Sequence, residues 1–206
     1  MPRYNLRRRA QPVRVPPSAT SAPYRFTVPE RKLYVANRYV QHSGCISLEC
    51  MSAFQDFPRV TPFLWFDSNA EEAVEFYLSI FKNSRRLDEL RNTGDAPGPK
   101  GSVLTIAFEL DGQRFTALNG GPGYPFTQAV SFVVRCDTQQ EVDYYWEKLS
   151  AGGKEIQCGW LIDKFGLHWQ ITPTRLMELI RHPKAFQAML RMVKIDIAEI
   201  ERAVQS

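Results

Sequence analysis

An internal repeat constrains this chain more than any other feature. Setting Phe76-Tyr77 on Tyr145-Trp146 also sets Phe63 on Phe132, Asn69 on Thr138 and Glu72 on Glu141, all at an offset of 69 residues. Solenoid units are about 20–50 residues long and stack in series, so this spacing marks a duplicated module instead. Each copy opens with an apolar run short enough to be a strand, VTPFLWF (60–66) and AVSFVVR (129–135). Each run is followed by a capping-box signature, Asn69 with Glu72 and Thr138 with Glu141. Ala73, Val74, Phe76, Tyr77, Ile80 and Phe81 recur at helical spacing, which predicts a helix over 70–81, and the second box predicts one through Leu149.

The first copy continues with strands predicted over 85–91, 102–110 and 113–119. A Gly/Pro loop (94–101) separates the first two, and an Asp111-Gly112 hairpin signal joins the last two. After Gly152-Gly153 the second copy shows fewer clear strands, over 155–162 and 166–172. A helical segment broken near Pro183 covers 173–204. The chain thus reads as a leader (1–57) and one α+β domain (58–206), with modules at about 59–121 and 127–172. The glycine-rich Asn119–Gly123 stretch lacks the GxGxxG and GxxxxGK[ST] spacings and reads as the connector between modules.

The net charge of +4 divides unevenly. Residues 1–50 hold nine Lys/Arg against two Asp/Glu, a net of +7, which leaves 17 against 20, a net of −3, for the remainder. The basicity therefore belongs to the leader, and the domain has no charge signature for nucleic acid. The leader's Arg, Pro, Ser and Ala bias cannot build a core. It is open to three readings: a transit peptide, an upstream extension ending before Met51, or a functional basic arm. No apolar run approaches the roughly 20 residues that span a bilayer. Cys45, Cys50, Cys136 and Cys158 form no CxxC or zinc spacing, so a reduced, cytoplasmic protein is expected.

Four segments together carry a family resemblance: TPFLWFDSNAEEAVEFYLSIFKNS, FELDGQRFTALNGGP, QCGWLIDKFGLHWQITP and FQAMLRMVKIDIAEIERA. From about Arg59 to Ala203 the chain resembles the PhnB-like family, often labelled a 3-demethylubiquinone-9 3-methyltransferase domain. That family lies within the glyoxalase/bleomycin resistance/dioxygenase, or vicinal oxygen chelate, superfamily. The resemblance implies two βαβββ modules whose sheets curl around a shared cavity, with the helices outside, commonly as a homodimer. It also implies that the ligand is a small molecule held between the modules. The methyltransferase label finds no support in the residues, because no Gly-rich strand-to-helix turn for S-adenosylmethionine is present.

In metal-dependent members of the superfamily, a His, Gln or Glu on the first strand of each module and a Glu or Gln on the last hold one divalent ion. The corresponding positions here fall near Pro62, at Ser131, near Leu118 or Asn119, and at Gln170. Gln170 is the one plausible ligand, and a single neutral amide does not hold a divalent ion. No cofactor is expected, and a metal-dependent lyase, isomerase or dioxygenase is the alternative, with a non-catalytic interaction protein as the third reading. His168 lies two residues before Gln170 on a strand, so both project to one face, and an imidazole there can act as a general base. Against this stands a lone His satisfied by a neighbouring backbone group. Candidate ligand contacts are Gln170, Ser131, Trp160, Lys164 and Asn119. Phe63, Trp65 and Phe132 read as core under the helices. Asp163 and Lys164, in the WLIDKFG turn, read either as a gate or as solvated charges. The apolar residues of the C-terminal segment, among them Met177, Phe186, Met189, Leu190, Met192, Val193 and Ile195, suggest a homodimer interface or a segment folded back on its own sheet.

Overall fold

A computed structural model describes residues 57–205. The readings of the leader lie outside the described residues except at Phe57. The first module contains β1 (Phe63–Phe66), α1 (Ala70–Ile80), β2 (Ser84–Arg91), β3 (Val103–Leu110) and β4 (Gln113–Asn119). The second contains β5 (Phe132–Cys136), α2 (Gln139–Ser150), β6 (Lys154–Glu155), β7 (Trp160–Ile162) and β8 (His168–Pro173). Their sheets have the same order, β1-β4-β3-β2 and β5-β8-β7-β6. In each, the first strand runs parallel to the last and the remaining pairs are antiparallel. This is the expected pair of βαβββ modules of the glyoxalase/bleomycin resistance-like fold. The second module shows fewer strands in sequence because β6 has two residues where β2 has eight.

The two predicted capping boxes fare differently. Thr138 Oγ1 accepts from the Glu141 N–H at 3.2 Å, and the Glu141 carboxylate accepts from the Asp137 N–H at 2.7 Å. Asn69, by contrast, makes no side-chain cap bond. Its role passes to Asn119 at the end of β4, whose Oδ1 accepts from the Ala70 N–H at 2.8 Å while Nδ2 donates to Glu71 and to the Val103 carbonyl. The Asp111-Gly112 hairpin forms as expected, with φ of 45° and 83°, the paired positive values of a two-residue turn.

The repeat offset of 69 holds for the helices but not for the strands. It maps Phe63 on Phe132, yet Phe63 points outward at 58% exposure while Phe132 turns inward beside Trp169. Three residues join β1 to α1 and two join β5 to α2. With a side-chain period of two, that single residue flips the face. The inward pair Leu64 and Phe66 therefore corresponds to Val134 and Cys136. Phe63 is not core, and Trp65 is half-buried on the outer side, its indole donating to the Gly121 carbonyl at 2.8 Å.

The helices do not lie outside the sheets. Tyr77 and Phe81, on α1 and at its end, reach across to Trp169 of β8, and Phe81 also meets Tyr145 of α2. Phe115 of β4 contacts Phe132 of β5. The helix-bearing faces of both sheets thus share one core, and the other face of each sheet looks away from it. Burial of large side chains there, each worth about 1.5–3 kcal/mol, holds the modules together.

The C-terminal segment forms α3 (Leu176–Leu179), α4 (Pro183–Met189) and α5 (Ile197–Gln205). It folds back on its own chain, burying Met189, Met192 and Ile195 in a second cluster with Leu176, Leu179 and Ile200. Backbone bonds from Cys158 N–H to the Met192 carbonyl and from Gly159 N–H to the Val193 carbonyl dock it. Met177, Phe186, Leu190 and Val193 remain exposed.

Candidate functional site

β8 reads HWQITP, and its alternation divides two tasks. Trp169 and Ile171 face the shared core, while His168, Gln170 and Thr172 face outward. Registers extend that outer face across the sheet: Gln170 sits between Val133 and Trp160, and His168 beside Ile162 and then Lys154. Ser131, just before β5, accepts through Oγ from Gln170 Nε2 at 2.8 Å. Four of the six sequence-predicted residues, His168, Gln170, Ser131 and Trp160, therefore gather on one surface. His168 is 6% exposed, and its Nδ1 is buried without a hydrogen-bond partner among the described residues. The reading of a histidine satisfied by a neighbouring backbone group is thus not met at that nitrogen.

The other two predicted residues are elsewhere. Asn119 is on the helix-bearing side, where the three bonds already described use both ends of its amide. Lys164 lies in the turn between β7 and β8, 2.8 Å from Glu72 on α1 and about 5 Å from the ring centres of Phe76 and Phe165. Its partner in that turn, Asp163, is neither gate nor solvated. It is 2% exposed, with Oδ2 accepting from the Tyr77 hydroxyl and the Trp169 indole, both at 2.8 Å, and Oδ1 from the Phe165 and Leu167 N–H groups. Burial raises the carboxyl pKa despite those donors, and burial together with the Asp163 charge pushes the Tyr77 hydroxyl well above its ordinary value. Sequence reasoning missed this network because a charged residue in a turn is ordinarily solvated. The pattern of a Tyr on the inner stripe of α1 and a Trp inward on β8 was its only trace.

A cleft of about 670 Å³ does open between the modules, walled by Phe81, Phe115, Phe132, Tyr145 and Trp169, with Arg135 and Asp137 at its rim. None of the predicted ligand contacts lines it, which corrects the expectation that they share the cavity between modules. Cys136, the last residue of β5, has its thiol pushed up to about 12 by burial first and then by the charges of Glu141 and Asp137. Cys136 and Cys158 are both free thiols. Among the described residues no group of three or more His, Cys, Asp or Glu side chains is placed to hold a metal ion. The neutral pair Ser131 and Gln170 is a poor donor set for a divalent cation.

Residues 58–172 match the sequence profile of the family described as 3-demethylubiquinone-9 3-methyltransferase. The chain belongs to that family. Among solved structures, the PhnB protein from Bacillus cereus is 34% identical, covering 57% of this chain and 100% of its own, at a TM-score of 0.53. A protein from Pseudomonas aeruginosa is 22% identical over 55% of this chain and 96% of its own, at a TM-score of 0.46. The fosfomycin resistance protein FosX from Listeria monocytogenes is 19% identical over 58% of this chain and 94% of its own, at a TM-score of 0.40. No curated protein matches the chain. Both four-stranded sheets of this family member are mixed, unlike the parallel sheet on which a class I methyltransferase binds its cofactor. Among the described residues no helix is long and apolar enough to cross a membrane.

Proposed function

We propose that this family member binds a small molecule on the outer face of its second sheet, as a ligand-binding protein or a metal-independent enzyme. The observation that carries the reading is His168: a 6% exposed imidazole with an unpartnered Nδ1, on the same face as the Ser131–Gln170 pair. A buried polar atom without a partner costs about 1–3 kcal/mol, a cost that a ligand's hydrogen bond removes. Trp160 supplies a half-buried aromatic surface next to Gln170, the usual pairing of apolar wall and placed polar group in a small-molecule site. Proton transfer is the chemistry His168 can supply, as base or acid toward a ligand hydrogen-bonded at Nδ1.

An open sheet face encloses nothing by itself, so the reading includes a homodimer in which a second copy closes the site. Phe63 and Val133, exposed at 58% and 55% on the outer faces, are the apolar residues such a contact would cover. The free thiols fit the cytoplasm. A thermal-shift screen of small metabolites on the full chain tests the proposal, since a ligand of the native state raises its melting temperature. Hits should appear with the wild type and be lost with His168→Ala. Hits that all survive that substitution, or none at all, would sink it, and a monomer in light scattering at micromolar concentration would remove the dimer.

A further inference from the structure

The charges on the two outer faces are arranged differently. On the first sheet Glu109 holds both Arg85 and Arg114, at 3.5 and 3.4 Å, so both cations are tied to one carboxylate. On the second sheet the registers place Arg135 beside Thr172, and Lys154 beside Ile162 and one strand further from His168. None of the residues those registers put on this face is an Asp or Glu. Both cations are exposed, and among the described residues neither has a hydrogen-bond or ion-pair partner. They flank the Ser131, His168, Gln170 and Trp160 cluster from opposite ends, Arg135 on edge strand β5 and Lys154 on edge strand β6.

From this we infer that the site takes an oxyanion, a carboxylate or phosphoryl group, carried on a flat apolar body that rests against Trp160. The inference builds on the outer-face reading above and adds the charge class of the ligand. Three hydrogen-bond partners near the centre suit such a group: the Ser131 hydroxyl, the Gln170 amide, and His168 Nδ1 in the tautomer that carries its proton there. Arg135 and Lys154 at the two ends raise the local concentration of anions and repel cations. A neutral ligand would gain nothing from either.

Benzoate, phenyl phosphate and benzamide are suitable probes, titrated into the isotope-labelled full chain and followed by nitrogen–proton correlation spectra. The expected result is that both anions shift the Trp160 indole and Gln170 amide signals and bind at least fivefold tighter than benzamide. Arg135→Gln and Lys154→Gln should each weaken the anions severalfold and leave benzamide unchanged. Both positions are exposed, so neither change threatens folding. If benzamide binds at Trp160 and Gln170 as tightly as the anions, the oxyanion preference is overturned while the outer-face site stands. If no probe moves those two signals, the outer-face reading fails and this inference with it.

Discussion

The Tyr77 hydroxyl donates to the Asp163 carboxylate at 2.8 Å, tying α1 of the first module to the turn between β7 and β8 of the second. Trp169 donates to the same oxygen, so one buried carboxylate joins a helix, a turn and a strand across the module boundary. Replacing it by Asn leaves one acceptor oxygen where two served four donors. Asp163→Asn should therefore lower stability by about 2–4 kcal/mol at neutral pH, the cost of one or two unsatisfied buried donors. Urea unfolding followed by tryptophan fluorescence measures it, and a loss under half a kcal/mol would show that the network is not structural.

The same residue has a pH signature. Burial raises the folded-state pKa of Asp163 above the ordinary carboxylate value of 3.8. Between the two values the folded protein binds more protons at this site than the unfolded chain, so its contribution to stability falls as pH rises through that window. The stability difference between wild type and Asp163→Asn should accordingly grow as pH is lowered from neutrality toward the carboxylate range. A difference that shrinks on acidification would mean the four donors, rather than burial, set the pKa.

Asn119 should prove to be a structural residue. Asn119→Ala removes the cap on Ala70 and the ties to Glu71 and Val103, and should cost about 1–2 kcal/mol. Asn69→Ala, at the position whose side chain caps nothing, should be nearly neutral. Equal losses in denaturant unfolding would restore the ordinary capping box.

Ile195 is fully buried within its own chain. Ile195→Ala should cost about 2–5 kcal/mol by leaving a cavity between the C-terminal segment and Gly159. The loss should be the same at low and high protein concentration. A concentration-dependent loss would place Ile195 at a contact between copies instead.

Cys136 is fully buried and its thiol is held up to about 12, so the thiolate is scarce. In the native protein it should resist iodoacetamide at pH 8 and label only after unfolding, as read by peptide mass spectrometry.

The order of strands and helices was legible because it rests on periodicity and turn chemistry, which are local. Gln113–Asn119 and the Asp111-Gly112 turn come out at the expected residues. What was not legible depends on partners distant in sequence. Asn119 supplants Asn69 from 49 residues downstream of the helix it caps, and Asp163 is buried by a Tyr 86 residues before it. The face of Phe63 was misjudged because the offset of the helices was carried into the strands, across connections that differ by one residue. His168, Gln170, Ser131 and Trp160 came together because alternation along a strand and pairing across it are both short-range rules. The placing of the helices between the sheets was the largest departure, and no local pattern distinguishes a helix covered by a second sheet from one covered by solvent.

Along HWQITP, neighbouring residues answer to different demands: Trp169 and Ile171 to folding, His168, Gln170 and Thr172 to whatever meets the outer surface. Because the core lies wholly on one side of each sheet, exchanging outward residues leaves its packing intact. A lineage built on this plan can change its outer surface by substitutions at every second position, while drift at the intervening ones stays under the constraint of stability. The duplication supplies two such surfaces, and the differing charge patterns of the two sheets are the kind of divergence that this separation permits.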